Sequence, residues 1–306
     1  MTQNPDITAN NIVDKIVNEV KTYSDYTRYY LDIEQSWCHA EIFVNDIPAY
    51  NNFEDELIAS TESINHLILK SGLQKVTYKL YPVGEHEGEI IPTLTNDTEM
   101  KITAEWQDFY KHEKQGEAGV QSTPMSKPVN PMEEPISLLS GKKYYENSFT
   151  FNAVVPYELK GWSESQDLRK LDQKELEKRV LAEFEKYRSI YQSKNLDAIA
   201  KIKFDGLRNQ YVSEYATRKD IQEGWEETVN VVNSPEFEMQ PIEDYKMVFY
   251  AEGRLVGLVS TSNDKNLKGN SVLVCHYKNK KGNLRGFYFG CFLHIPNGKT
   301  ELETAI

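Results

Sequence analysis

After the stretch KGWSESQ, residues 160–166, the hydrophobic period of the chain changes from two to 3.6. This change constrains the fold most, because a pattern that alternates sides of a strand cannot line one face of a helix. Before it, the segments YTRYYLDIEQ, WCHAEIFVN, LQKVTYKLYPV, EMKITAEWQDFY and YYENSFTFNAVV are rich in β-branched and aromatic residues, with turn signals such as VNDIP, KSGL and LTND between them. They predict an antiparallel β-sandwich. Val13, Ile16, Val17 and Val20 recur at helical spacing, so a short helix over about residues 10–21 is expected to lie as a lid on that sheet structure. Residues 112–135 are too long a run, and too rich in Pro, Gly and Ser, for a regular element. They read as a mobile loop.

Beyond the change of period, Leu176, Val180, Phe184, Tyr187 and Tyr191 form one helical stripe, opened by Asp172 with Glu175 three residues on. A shorter helical run surrounds Ile199 and Ile202, and a third helix starts at Thr217, with Asp220 as its capping partner and Ile221, Trp225, Val229 and Val232 as its stripe. YKMVFYAEG, RLVGLVST, SVLVCHYKN and LRGFYFGCFLHI then read as antiparallel strands, with NKKGN as a tight turn. The expected architecture is two domains: residues 1–160, an antiparallel β-sandwich with an N-terminal helix, and residues 161–306, an α+β domain in which helices precede a curved, cone-like antiparallel sheet.

Charge separates the same two regions. Residues 1–160 hold 13 Lys and Arg against 25 Asp and Glu, a balance of −12, whereas residues 161–306 hold 22 of each. An acidic half repels phosphate backbones and anionic lipid surfaces and attracts basic protein surfaces, so neither nucleic acid nor membrane is expected as a partner. The opening MTQNPDITANNIVDKIVNEV has no basic leader region and no apolar core of signal-peptide length. With three cysteines that form no CxxC pair, it points to the cytoplasm.

Chemical motifs are few. VGEHEGE gathers Glu85, Glu87 and Glu89 around His86; the zinc pattern H-E-x-x-H fails at Ile90, and the spacing of a calcium loop is absent. A solvated loop with no role, or an acidic loop that displays charge to a partner, fits this stretch better than ion binding does. NNFEDELIAS sets Glu54, Asp55 and Glu56 beside Phe53, an acidic cluster next to an apolar anchor; the alternative for Phe53 is a plug in the sandwich. Cys275, His276, Cys291 and His294 resemble zinc ligands in type, but neighbouring strand residues point apart, so packed thiols are expected. Trp37–His39 places a thiol beside an imidazole under the same objection. In SLLSGKKY the first glycine and the hydroxyl residue of a phosphate loop are missing, and the glycines of GRLVGLVS fall on a strand. No catalytic residue, metal or cofactor is expected. A pocket in the second domain, lined by Trp225, Tyr250, His276 and Tyr288, is the alternative site, and a carbohydrate face using Trp37 and Trp106 is a third.

The run AEIFVNDIPAYNNF, with SINHLILKSGLQKVTYKLYP after it, resembles an N-terminal β-sandwich module of bacterial proteins, among them immunity proteins against toxins of type VI secretion systems. A strand ending in VN-x-IP, an Asn-bearing IN turn and a G-x-x-x-V strand carry the resemblance, and these are structural rather than catalytic features. The second half is similar in element order to the nuclear transport factor-like cone, which transfers no functional residue. The resemblance implies a cytoplasmic immunity protein that occludes the active site of a cognate toxin with a basic surface. Phe53, Glu54, Asp55, Glu56, Glu85, Glu87 and Glu89 are then the partner-facing residues.

Overall fold

The computed structural model of the chain describes residues 3–53, 58–110, 113–128, 130 and 132–306. They form two compact units, one of residues 23–158 and one that joins residues 1–22 to residues 159–306. Antiparallel sheets make up most of the regular structure, with the long helices in the second half of the chain.

The unit of residues 23–158 contains β1 (Thr27–Ser36), β2 (His39–Val44), β3 (Ile47–Asn52), β4 (Ile58–Ser63), β5 (Gly72–Tyr81), β6 (Gly84–His86), β7 (Glu89–Ile91), β8 (Glu99–Asp108), β9 (Glu113–Ser122) and β10 (Tyr145–Ala153). Two four-stranded sheets result, in the orders β4-β1-β8-β9 and β10-β5-β2-β3, beside the two-stranded β6-β7. Alternation sets their faces. Along β1, Thr27, Tyr29, Leu31, Ile33 and Gln35 are buried, and along β5, Gln74, Val76, Tyr78 and Leu80 are. Each large apolar side chain among these contributes roughly 1.5–3 kcal/mol by leaving water. Contacts between the sheets fix the register: the Tyr29 and Phe151 rings lie 5.7 Å apart, and Tyr50 Oη donates to Gln35 Oε1 at 3.1 Å.

Two asparagines from the VN-x-IP and IN motifs hold the turns. Asn45 and Asp46 both take positive φ, 51° and 65°, in the two-residue connection between β2 and β3. The Asn45 side chain donates to Leu67 O and Gln74 Oε1 and accepts from Lys75 N. Asn65 is fully buried, accepting from Tyr29 N at 2.7 Å and donating to Thr27 O at 3.1 Å.

Two sequence expectations fail in this unit. Residues 113–122, placed inside a mobile loop, form β9 along β8. Farther along the same stretch, Met125 bridges Ser137, and Ser137 N donates to Asn96 O. Composition misled because β9 uses glycine where a partner ring needs room: a Cβ on Gly116 would stand 2.9 Å from Trp106 Nε1, and one on Gly119 would stand 3.3 Å from Phe149. Second, Trp37 and Cys38 are not strand residues. They turn the chain between β1 and β2, with Trp37 at φ 50° and Gln35 Nε2 donating to Cys38 O at 2.6 Å.

The other unit contains α1 (Ile12–Val17), α2 (Gln173–Gln192), α3 (Leu196–Ser213), α4 (Arg218–Val232), β11 (Glu238–Met239), β12 (Tyr245–Tyr250), β13 (Leu255–Ser260), β14 (Val274–Lys278), β15 (Leu284–Tyr288), β16 (Leu293–His294) and β17 (Glu303–Thr304). The strands form the sheets β11-β14-β15 and β12-β13-β16-β17. Asp172 caps α2 by accepting from Glu175 N at 2.9 Å, and Thr217 and Asp220 form a reciprocal capping box on α4. The expected stripe of α2 is its buried face, where Tyr191 stacks on Phe289 at 3.8 Å. The run around Ile199 and Ile202 is longer than expected, continuing to Ser213.

The N-terminal helix is the main correction to the expected 1–160 and 161–306 division. Ile12, Val13 and Ile16 of α1 enter the core shared with α2, α3 and α4, so α1 covers the helical unit rather than the leading sheets. Polar anchors explain the choice, since a helix of six residues is not stable alone. Arg218 pairs with Asp14 at 2.6 Å, Ala9 N donates to Asp197 Oδ1, and the Gln3 and Asn4 amides both donate to Asp205 Oδ2 at 2.7 Å.

Candidate functional site

The acidic stretch VGEHEGE is a β-hairpin rather than an open loop. Glu87 and Gly88 form its tip with φ 51° and 85°, the two left-handed positions of a tight two-residue turn. Register then separates the carboxylates. Glu85 lies opposite Ile90, His86 lies opposite Glu89, and Glu87 occupies the tip, so the first two pairs face opposite sides of the ribbon. All three glutamates are exposed, and none has an ion-pair partner among the described residues. His86 meets the Trp37 ring edge-on at 5.2 Å. Such spread-out charge suits long-range attraction of a cation-rich surface.

The second predicted cluster divides differently. Glu54, Asp55 and Glu56 lie outside the described residues. Phe53 is 7% exposed and packs edge-on to His39 at 5.6 Å, so it is a core plug and not a surface anchor. In the hairpin, Ile90 is an exposed apolar residue beside carboxylates, at 71%. Sequence reading dismissed it as the residue that spoils a zinc motif, although its place on a three-residue edge strand could have marked it.

Further carboxylates share one outward sheet face. Asp32 and Glu34 of β1, the buried Glu105 of β8 and Glu117 of β9 lie there, with Lys101 and Lys114 among them. Lys101 reaches Glu34 at 2.5 Å, and Lys114 lies between Glu105 at 3.0 Å and Glu117 at 2.9 Å. The alternation of β1 carried this signal, since Asp32 and Glu34 occupy every second position opposite the buried set.

The metal and thiol candidates come apart in space. Cys275 is fully buried while His276, its neighbour in β14, is exposed, and Cys38, Cys275 and Cys291 are all free and buried. Burial pushes the Cys38 and Cys275 thiols up to about 12 and the Cys291 thiol higher still, so all three remain protonated and unreactive near neutral pH. Among the described residues, no group of three or more His, Cys, Asp or Glu side chains converges on a point that could hold an ion. No helix among them is long and apolar enough to cross a membrane. Trp37 and Trp106 are half-buried, the first on His86 and the second over Gly116.

Two cavities lie among the described residues of the helical unit, and neither is lined by Trp225, Tyr250, His276 or Tyr288: the first two are buried and His276 is exposed. A cavity of about 500 Å³ is lined by Lys186, Tyr187, Asp197, Lys201 and Glu301 among others. One of about 700 Å³ opens between residues 3–5, the turn at 160–165, α3 and the strand ends at 294–305, and is lined by Ser165, His294, Arg208, Asn209 and Glu303 among others. Its charges are largely paired within the wall, Arg208 with Asp205 at 2.9 Å, Lys299 with Glu303 at 2.6 Å and Lys160 with Glu164 at 2.9 Å. Ser165 and His294 were not singled out together by sequence, being 129 residues apart, yet their Oγ and Nδ1 lie at 2.7 Å. No family model, curated protein or solved structure matches this chain.

Proposed function

We propose that the chain is a cytoplasmic immunity protein, in which an N-terminal β-sandwich recognises a cognate antibacterial toxin and occludes its active site, followed by a cone-like α+β module. The observation that carries the reading is the partition of charge between the compact units. Residues 23–158 hold 10 basic and 22 acidic side chains, whereas residues 1–22 and 159–306 together hold 25 of each. The whole balance of −12 therefore belongs to the sheet unit. A basic partner would be drawn to that unit, and neutralisation by capping asks for complementary charge and shape without a reaction. Glu85, Glu87 and Glu89 are the partner-facing residues of this reading, with Ile90 in place of Phe53 as the apolar contact. Neither nucleic acid nor membrane is a proposed partner, and no cofactor is assigned.

The test is association with the toxic domain encoded beside the gene. Reversing Glu85, Glu87 and Glu89 together to Lys is expected to slow association about tenfold at low salt and to flatten its salt dependence. Unchanged rate and affinity would remove the hairpin as the docking site, and failure of the native chain to bind that domain would remove the immunity reading. A second reading, a small-ligand site or enzyme in the helical unit, is favoured by cavities of about 500 and 700 Å³, both within the usual range for small-molecule sites. Ligand-induced stabilisation of the chain, absent when Arg208→Ala is used, tests it.

A further inference from the structure

Ser165 and His294 are held together by backbone geometry on both sides. Ser165 N donates to Trp162 O, Gln166 N donates to Ile295 O, and Ser165 bridges Pro296. The serine is thereby fixed against the strand that carries the histidine. Both residues are under 10% exposed, and both line the 700 Å³ cavity. Ser165 Oγ and His294 Nδ1 lie 2.7 Å apart, and in the tautomer that carries the ring proton on Nε2 the hydroxyl donates this bond and Nδ1 is the basic atom. Burial lowers the His294 pKa below 6.5, so the ring is neutral and able to accept a proton at neutral pH. The charged groups around it act in both directions: Glu303 and Asp205 favour an imidazolium, while Lys299 and Lys160 oppose it.

We propose that Ser165 is a nucleophile activated by His294, in a cavity that accepts a small polar carboxylic ester. In this reaction Oγ attacks the carbonyl carbon as its proton passes to Nδ1. The bond to the leaving alkoxide then breaks, and Nδ1 returns the proton to that oxygen. Water attacks the acyl-serine by the same proton route, releasing the acid and restoring Ser165. Arg208, paired with Asp205 and donating to Asn209 Oδ1, shares the cavity wall with Asn209, whose amide NH2 is the donor assigned to the developing oxyanion. The inference rests on the second reading of the helical unit and is independent of any toxin.

A fluorophosphonate probe applied to the full chain tests it, because Oγ attack forms an O–P bond and expels fluoride without needing the natural substrate. Peptide mapping should place one adduct on Ser165, and Ser165→Ala should abolish it. His294→Asn should slow labelling about 100-fold while leaving the thermal midpoint and circular dichroism near those of the native chain. The labelling rate should rise with pH below 6.5 and level off by neutrality, as His294 loses its proton. No adduct on Ser165 in the native chain or an unslowed His294→Asn protein would each overturn the nucleophile. Ligand binding to the cavity without labelling would do so too, while leaving the pocket reading standing.

Discussion

His66 shows at the scale of one residue how burial becomes a dependence on pH. Its Nδ1 is shielded from water, and burial lowers its pKa from 6.5 to about 4. The folded state therefore resists a proton that the unfolded chain accepts. Stability from this group is fully present above about 6.5 and is lost as pH falls toward about 4. The expected loss is on the order of 2 kcal/mol, and denaturant titrations at pH 7 and pH 4.5 should show a smaller difference for His66→Gln than for the native chain. A histidine beside buried Asn65 and Leu67 offers no sequence signal of this kind, because the surroundings that desolvate it come from distant segments. The hairpin glutamates were legible for the opposite reason: two glycines among charges announce a solvated turn, whatever the rest of the chain does.

β9 shows how a regular element can escape its own composition. EKQGEAGVQS has almost no strand-forming side chains, yet it pairs with Lys101–Asp108 of β8, where Gly116 leaves room for Trp106 and Gly119 leaves room for Phe149. Replacing Gly116 with Val is expected to destabilise the sheet unit by about 1–3 kcal/mol. The change should also shift Trp fluorescence, which a loop residue would not do. The helices were easier to read, since Asp172 and Thr217 state their starts chemically, the stripe of α2 is its buried face, and Ile221, Trp225 and Val232 of the α4 stripe are buried, with Val229 partly so. The end of α3 was not, because Asn209, Tyr211 and Ser213 are buried polar residues that dilute the apolar period. The 700 Å³ cavity was invisible for a related reason: its wall is assembled from four short stretches, none of which has a pattern of its own.

At the scale of the molecule, the change of hydrophobic period lies close to the unit border at residue 159, and no such change marks the border at residue 22. Periodicity shows that α1 has an apolar face but not which core receives it; that choice belongs to Asp14, Asp197 and Asp205, ordinary surface aspartates by sequence. Ile16→Ala is expected to cost about 2–5 kcal/mol, with hydrogen-exchange protection falling in α3 and α4 and unchanged in β1 and β8. Equal loss in both units would contradict the assignment of α1. Because residues 23–158 interrupt the sequence of the helical unit, that unit cannot close as the polypeptide leaves the ribosome. Ile12, Val13 and Ile16 are synthesised before, and must wait for, the helices that begin at residue 173. The sheet-rich insertion can mature during that interval, while a fragment starting at residue 161 would carry an apolar scar where its missing first segment belongs.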